Sequence, residues 1–159
     1  PLGDRHTRVS IFLSVFDVHV NRSPVAGEIV AVDYRQGRFQ NAMRDEASDE
    51  NERNVVEVHA DDGSTVVFSQ IAGLLARRIV FRPKVGDRVE KGQRVGMIKF
   101  GSRTDVILGP EWDIVVKPNE PVMAGSSVLA KRGALVLTGG KPADGSARRQ
   151  TTEAPEGER

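Results

Sequence analysis

A mainly β fold is what this sequence predicts, on three grounds. Short stretches alternate apolar and polar residues with a period of two. Turn signals rich in Gly and Asp separate those stretches at short intervals, with Ala60-Asp61-Asp62-Gly63 the clearest. A pattern of Lys followed by Val-x-x-Gly-x-x-Val also occurs twice, 33 residues apart, from Val89 to Val122 and from Gly92 to Gly125. A repeated strand start around a Gly turn is the unit of a small two-layer β fold.

Taken in order, residues 8–24 open the pattern. Val9, Ile11, Leu13 and Val15 alternate with Arg8, Ser10, Phe12 and Ser14, predicting a strand that ends in a turn over Asn21 to Pro24. Val25 to Val32 forms the next strand, with Gly27 early in it. Residues 35–54 are polar and charged, poor in β-branched residues, and read as a long loop or short helix. Val55 to Val58 and Ser64 to Phe68 flank the Asp-Gly turn as a hairpin. Gln70 to Arg78 is expected to make a short helical turn, and short strands resume at Ile79. The run MIKFGSRTD, residues 97–105, interrupts an apolar strand at Gly101-Ser102 before Val106-Ile107-Leu108 resumes it. By local pattern, such a Gly marks a bulge or bend. Residues 1–132 are expected to form one domain. The Gly-, Pro- and charge-rich stretch over 133–159 is expected to be a disordered tail.

Composition bounds the chemistry. In 159 residues there are 23 basic and 22 acidic side chains, a net charge of +1, so electrostatics gives no case for nucleic acid as partner. With no cysteine, disulfides, thiol nucleophiles and Cys-type zinc sites are excluded. The histidines, His6, His19 and His59, are too scattered to spell a metal site, and none is expected. No apolar run reaches membrane-spanning length, and no signal peptide is visible. The chain opens at Pro1, and an upstream segment is expected to be missing.

Several residues could carry chemistry. In a strand, Asp17 and His19 would share a face, where a carboxylate can hold an imidazole's tautomer. Most such pairs are structural. Arg77, Arg78, Arg82 and Arg103 could pair with phosphate or carboxylate, or stay solvated. His6 and His59 read as solvent-facing. Ser102 lacks the G-x-S-x-G elbow of a hydrolase, and the chain has no P-loop or dinucleotide fingerprint.

Two resemblances sharpen this reading. The repeat, Lys84 to Val95 and Lys117 to Val128, resembles the paired hammerhead turns of biotinyl and lipoyl carrier domains, which implies a barrel-sandwich-like fold with a few short helices. Four blocks in order also resemble the phosphatidylserine decarboxylases, in particular the short bacterial and archaeal type. They are SIFLSVFDVHVNRSPVAGEI, GRFQNAMRDEASDENERN, QIAGLLARRIV and VGDRVEKGQRVGMIKFGSRTDVIL.

That second resemblance implies a reason for the Gly-Ser pair. Family members are proenzymes that cut themselves at such a bond, here Gly101-Ser102, and convert the serine into a pyruvoyl group. Ser102 would carry this covalent cofactor, and phosphatidylserine would lose carbon dioxide to give phosphatidylethanolamine. The β chain would end at Gly101 and the α chain begin at Ser102, the two staying associated; self-association is left open. His19 is the implied acid–base residue, with Asp17 supporting it. Arg22 stands where the longer branch has a second His. It stays charged and is assigned to the substrate phosphate or carboxylate, as is Arg103. The family's upstream Pro-Ala-Asp-Gly segment has no match before residue 17, and Pro142-Ala143-Asp144-Gly145 lies on the wrong side of the cut. A lipid substrate implies a peripheral place on the cytoplasmic side of the cell membrane, with Arg35, Arg38 and Phe39 expected at the interface. Two rivals remain at this stage. One is a decarboxylase of a related serine-headgroup lipid, archaetidylserine. The other is a non-catalytic or carrier module presenting Lys91.

Overall fold

The computed structural model describes residues 5–37, 50–73, 78–99 and 101–133. Arg38, Phe39, Arg77, Phe100 and the expected tail beyond Gly133 lie outside them. The described elements are β1 (Thr7–Leu13), β2 (Val20–Arg22), β3 (Gly27–Arg35), β4 (Arg53–Ala60), β5 (Thr65–Ala72), β6 (Ile79–Phe81), β7 (Arg88–Val89), β8 (Arg94–Ile98), β9 (Ser102–Leu108), β10 (Trp112–Ile114) and β11 (Ala130–Arg132). They form a six-stranded sheet ordered β1-β9-β5-β4-β3-β7, a three-stranded sheet β2-β8-β6 and a two-stranded sheet β10-β11. Every pairing is antiparallel.

Period-two alternation decides which face is apolar. Val56 and Val58 of β4, Val66 and Phe68 of β5, and Val106 and Leu108 of β9 lie on one face and are buried. Val95 of β8 and Phe81 of β6 pack against them, with Trp112, Ile114 and Ala130 of the two-stranded sheet. The mainly β expectation is met. The Asp-Gly hairpin forms as read: Gly63 takes φ +80 between β4 and β5, and the Asp62 carboxylate accepts from the Ser64 N–H and hydroxyl at 2.9 and 2.6 Å. Burial alone would raise the Asp62 carboxyl, but those bonds and Arg132 hold it below its ordinary value.

The repeat is a structural repeat. Lys84 N–H donates to the Asp87 carboxylate at 2.8 Å, and Lys117 N–H donates to the Glu120 carboxylate at 2.8 Å. Gly86 and Asn119 are both left-handed, as are Gly92 and Gly125. The left-handed positions therefore recur at the 33-residue offset.

Two expectations are corrected and one is met. Gln70 to Ala72 is not helical: it continues β5, paired with β4 and β9. The expected bend at Gly101-Ser102 is present, and Arg103 to Asp105 already lie in β9, held by strands on both sides. The first strand stops at Leu13, so Val15 and Asp17 fall in a turn.

Candidate active site

The Gly-Ser pair marks a change of sheet. β8 belongs to the three-stranded sheet and β9 to the six-stranded one, so the chain changes sheet between Ile98 and Ser102. Their neighbour makes the same crossing. β1 pairs β9, with Leu13 opposite Ser102, and β2 pairs β8, with Val20 opposite Met97. Two connections thus meet: the longer, residues 14–19, and the shorter, which ends at Gly101. The longer one bulges outward and leaves Phe16 95% exposed. Its last residue, His19, lies against the shorter one.

Gly101 N–H donates to His19 Nε2 at 2.9 Å. That nitrogen therefore presents a lone pair, and the ring proton sits on Nδ1, 2.7 Å from the Asp17 carbonyl to which it donates. Asp17 meets His19 through its backbone carbonyl. Its carboxylate caps the turn instead, accepting from Ser14 N–H at 2.7 Å. The side-by-side strand arrangement fails because this segment is a turn, where alternation does not hold.

Gly101 has φ +63, a conformation costly for residues with a Cβ, and a Cβ there would approach Val15 at 3.6 Å. Ser102 opens β9 on the core-facing side. Its hydroxyl is buried and has no hydrogen-bond partner among the described residues. An orphaned buried hydroxyl costs about 1–3 kcal/mol, so a fold that keeps one calls for an explanation.

Beneath Ser102 runs a buried polar chain that sequence reading missed. Asn54 Nδ2 donates to Gln70 Oε1 at 3.1 Å, Gln70 Nε2 to Asn21 Oδ1 at 2.8 Å, and Asn21 Nδ2 to Thr104 Oγ1 at 3.0 Å. Asn21 lies two residues after His19, and Thr104 two after Ser102. This bond therefore braces the two crossings against each other. A polar residue at an inward position of an otherwise apolar sheet was the available signal.

The two arginines part company. Arg103 is wholly buried on the other face of β9. It makes a two-pronged pair with Asp105 at 2.7 and 2.8 Å, and its guanidinium lies 5.6 Å from the Phe12 ring centroid. Its expected place on the substrate is corrected to a structural one. Arg22 lies on the outer side of β2, lines a cavity of about 250 Å³, and donates to the Gly92 carbonyl at 2.7 Å. Arg35, half exposed, pairs with Asp33 at 2.6 Å. Among the described residues no cluster of acidic or imidazole groups suits a metal ion.

A sequence profile of phosphatidylserine decarboxylase matches residues 2–130. The chain belongs to the phosphatidylserine decarboxylase family. Relatives named phosphatidylserine decarboxylase proenzyme include those of Solibacter usitatus, 60% identical over 126 residues, and Symbiobacterium thermophilum, 50% identical over 130 residues. A third, from Novosphingobium aromaticivorans, is 56% identical over 127 residues. The matches cover 79%, 82% and 80% of this chain, and 61%, 60% and 50% of those relatives' lengths. No solved structure matches it. Among the described residues, Gly101-Ser102 is the Gly-Ser pair at which the chain passes between sheets beside a histidine.

Proposed function

We propose that the protein matures by cutting itself between Gly101 and Ser102 and then decarboxylates phosphatidylserine to phosphatidylethanolamine. The observation that carries this is the junction itself. A left-handed Gly101 bonded to His19 stands next to a buried Ser102 hydroxyl with no partner.

The cut uses the serine and glycine of the junction. Ser102 Oγ attacks the Gly101 carbonyl carbon, the Gly101–Ser102 C–N bond breaks, and the hydroxyl proton ends on the freed Ser102 amine, leaving an ester. Loss of the Ser102 α-proton then expels Gly101 as a carboxylate and leaves a Cα=Cβ double bond. Water enters, ammonia departs, and residue 102 becomes pyruvoyl. Gly at 101 keeps the attacked carbonyl approachable. The orphaned hydroxyl and the lack of a side chain at 101 support the fit of that group here. When formed, it supplies an electrophilic carbonyl that takes up the electron pair left as carbon dioxide departs. His19, its tautomer fixed by Asp17, takes and returns the proton at Nε2. Arg22 holds the substrate's anionic group. Arg103 and Asp105 keep β9 in place.

After the cut β9 stays between β1 and β5, both upstream, so the α and β chains remain one sheet. Exposed Phe12, Val15, Phe16 and Val18 rim the junction, which supports docking on a lipid surface at the cytoplasmic face of the cell membrane. No helix among the described residues is long and apolar enough to cross a membrane.

Intact mass under denaturing conditions tests the reading. Two fragments dividing at Gly101-Ser102 are expected, the second lighter by one ammonia than a peptide starting with Ser. Carbon dioxide release from phosphatidylserine should follow, and His19→Ala should lower it by at least about 100-fold. A full-length gene product that stays a single chain would sink the proposal.

A further inference from the structure

The cavity beside Arg22 holds a second arginine. In the β2–β8 register Arg22 stands directly opposite Arg94, and both line the cavity. Like charges opposite each other on paired strands destabilise the pairing. Among the described residues neither guanidinium meets a carboxylate, and no acidic side chain lines the cavity. Among the described residues the hydrogen bond of Arg22 goes to the Gly92 carbonyl. The remaining wall is apolar: Val18, Val20, Met123 and Ala124. Val18 and Val20, which line the cavity, flank His19 in sequence.

We infer that Arg22 and Arg94 form a clamp for the phosphodiester of the lipid headgroup, with Met123 and Ala124 against the glycerol end. The inference rests on the proposed decarboxylase reading. An anion between the two guanidiniums turns their repulsion into two charge-assisted contacts. The phosphodiester is favoured over the serine carboxylate because it survives the reaction. A carboxylate held in a double ion pair would be stabilised in the ground state and released less readily as carbon dioxide. The apolar wall suits the carbon skeleton beyond the phosphate. A volume of about 250 Å³ admits a headgroup and not a whole lipid.

The test uses the full chain and dihexanoylphosphatidylglycerol below its micellar concentration, a phosphodiester that cannot be decarboxylated. Calorimetry or side-chain arginine resonances report binding. The lipid should bind, and Arg94→Gln should weaken it about tenfold, with Arg94→Lys recovering part of the loss. Arg94→Gln should also raise the unfolding midpoint in phosphate-free buffer, because a repulsion is removed. Unchanged lipid binding in Arg94→Gln overturns the clamp. Inorganic phosphate binding as tightly as the lipid would make it a free-phosphate site and overturn the lipid assignment. L-serine displacing the lipid would move the clamp to the carboxylate. The maturation reading fails separately: an uncleaved full-length chain that still binds lipid through Arg94 sinks the decarboxylase and leaves the clamp standing.

Discussion

The two halves of the 33-residue repeat share their turns and differ in their surroundings. In the first, Val89 and Val95 are each 1% exposed and belong to the core. Their counterparts in the second are Val122, half-buried, and Val128, 51% exposed, with Met123 beside them at 72%. Backbone conformation is nearly the same: Gly86 and Asn119 at φ +90 and +62, Gly92 and Gly125 at +79 and +84. Local sequence therefore fixes the turn, while position in the chain decides what the turn covers. The first closes the core. The second, freed from that duty, leans over Arg22 and makes one wall of the cavity.

The largest difference should appear in stability. Val95→Ala removes two methyl groups from a fully packed site and should cost about 2 kcal/mol. Val128→Ala, half exposed, should cost less than about 0.5 kcal/mol. Denaturant unfolding of the two variants side by side measures this. Equal losses would mean that Val128 is covered as well as Val95 is, and the contrast would fall.

Next come the glycines. Alanine in a left-handed position costs about 1 kcal/mol, so Gly92→Ala and Gly125→Ala should lose similar stability. Their effects on the cavity should differ. A Cβ at Gly92 meets nothing within 4 Å, whereas one at Gly125 comes within 3.1 Å of the Arg22 Cδ and Nε. Gly125→Ala should therefore displace Arg22 and weaken phosphatidylglycerol binding severalfold, with Gly92→Ala binding normally. Equal binding by both would break the link between the second turn and the clamp.

This pairing also shows where the sequence was legible. Turn residues act locally, so the repeat, the Asp-Gly hairpin and the alternating strands could be read directly. Ser102, His19 and Gly101 were legible through the family blocks, not through spacing, because 82 residues separate His19 from Gly101 and only the double crossing joins them. Arg103 was misjudged because a charged residue reads as exposed until its partner is known, and Asp105 becomes that partner only once both lie on one face of β9. The buried chain from Asn54 to Thr104 draws on four strands, so no window of sequence contains it. Gln70 to Ala72 lacks a clean strand pattern because both faces of β5 are buried there.

The turn carboxylates give a smaller, matched pair. Asp87 and Glu120 each accept one backbone N–H near the surface at 2.8 Å. Removing either by Ala should cost about 0.5–1 kcal/mol, and the two losses should agree within about 0.3. A clear inequality in unfolding free energy would show that the surroundings reach into the turns themselves.

The smallest effect is at Asn119. Its φ of +62 falls in the left-handed well that Asn occupies readily, so its side chain is under little strain there. Asn119→Gly would relieve that small strain and, in the same change, loosen the unfolded chain, and the two act in opposite directions. The net shift should stay within about 0.3 kcal/mol by denaturant unfolding. At Gly86 the φ of +90 lies further from that well, so Gly86→Asn should be clearly destabilising at the matching position. A gain of 1 kcal/mol or more from Asn119→Gly would show that the second turn is strained where the first is relaxed. The two halves would then differ in backbone conformation as well as in packing, and the exposure of Val128 and Met123 would need a local cause.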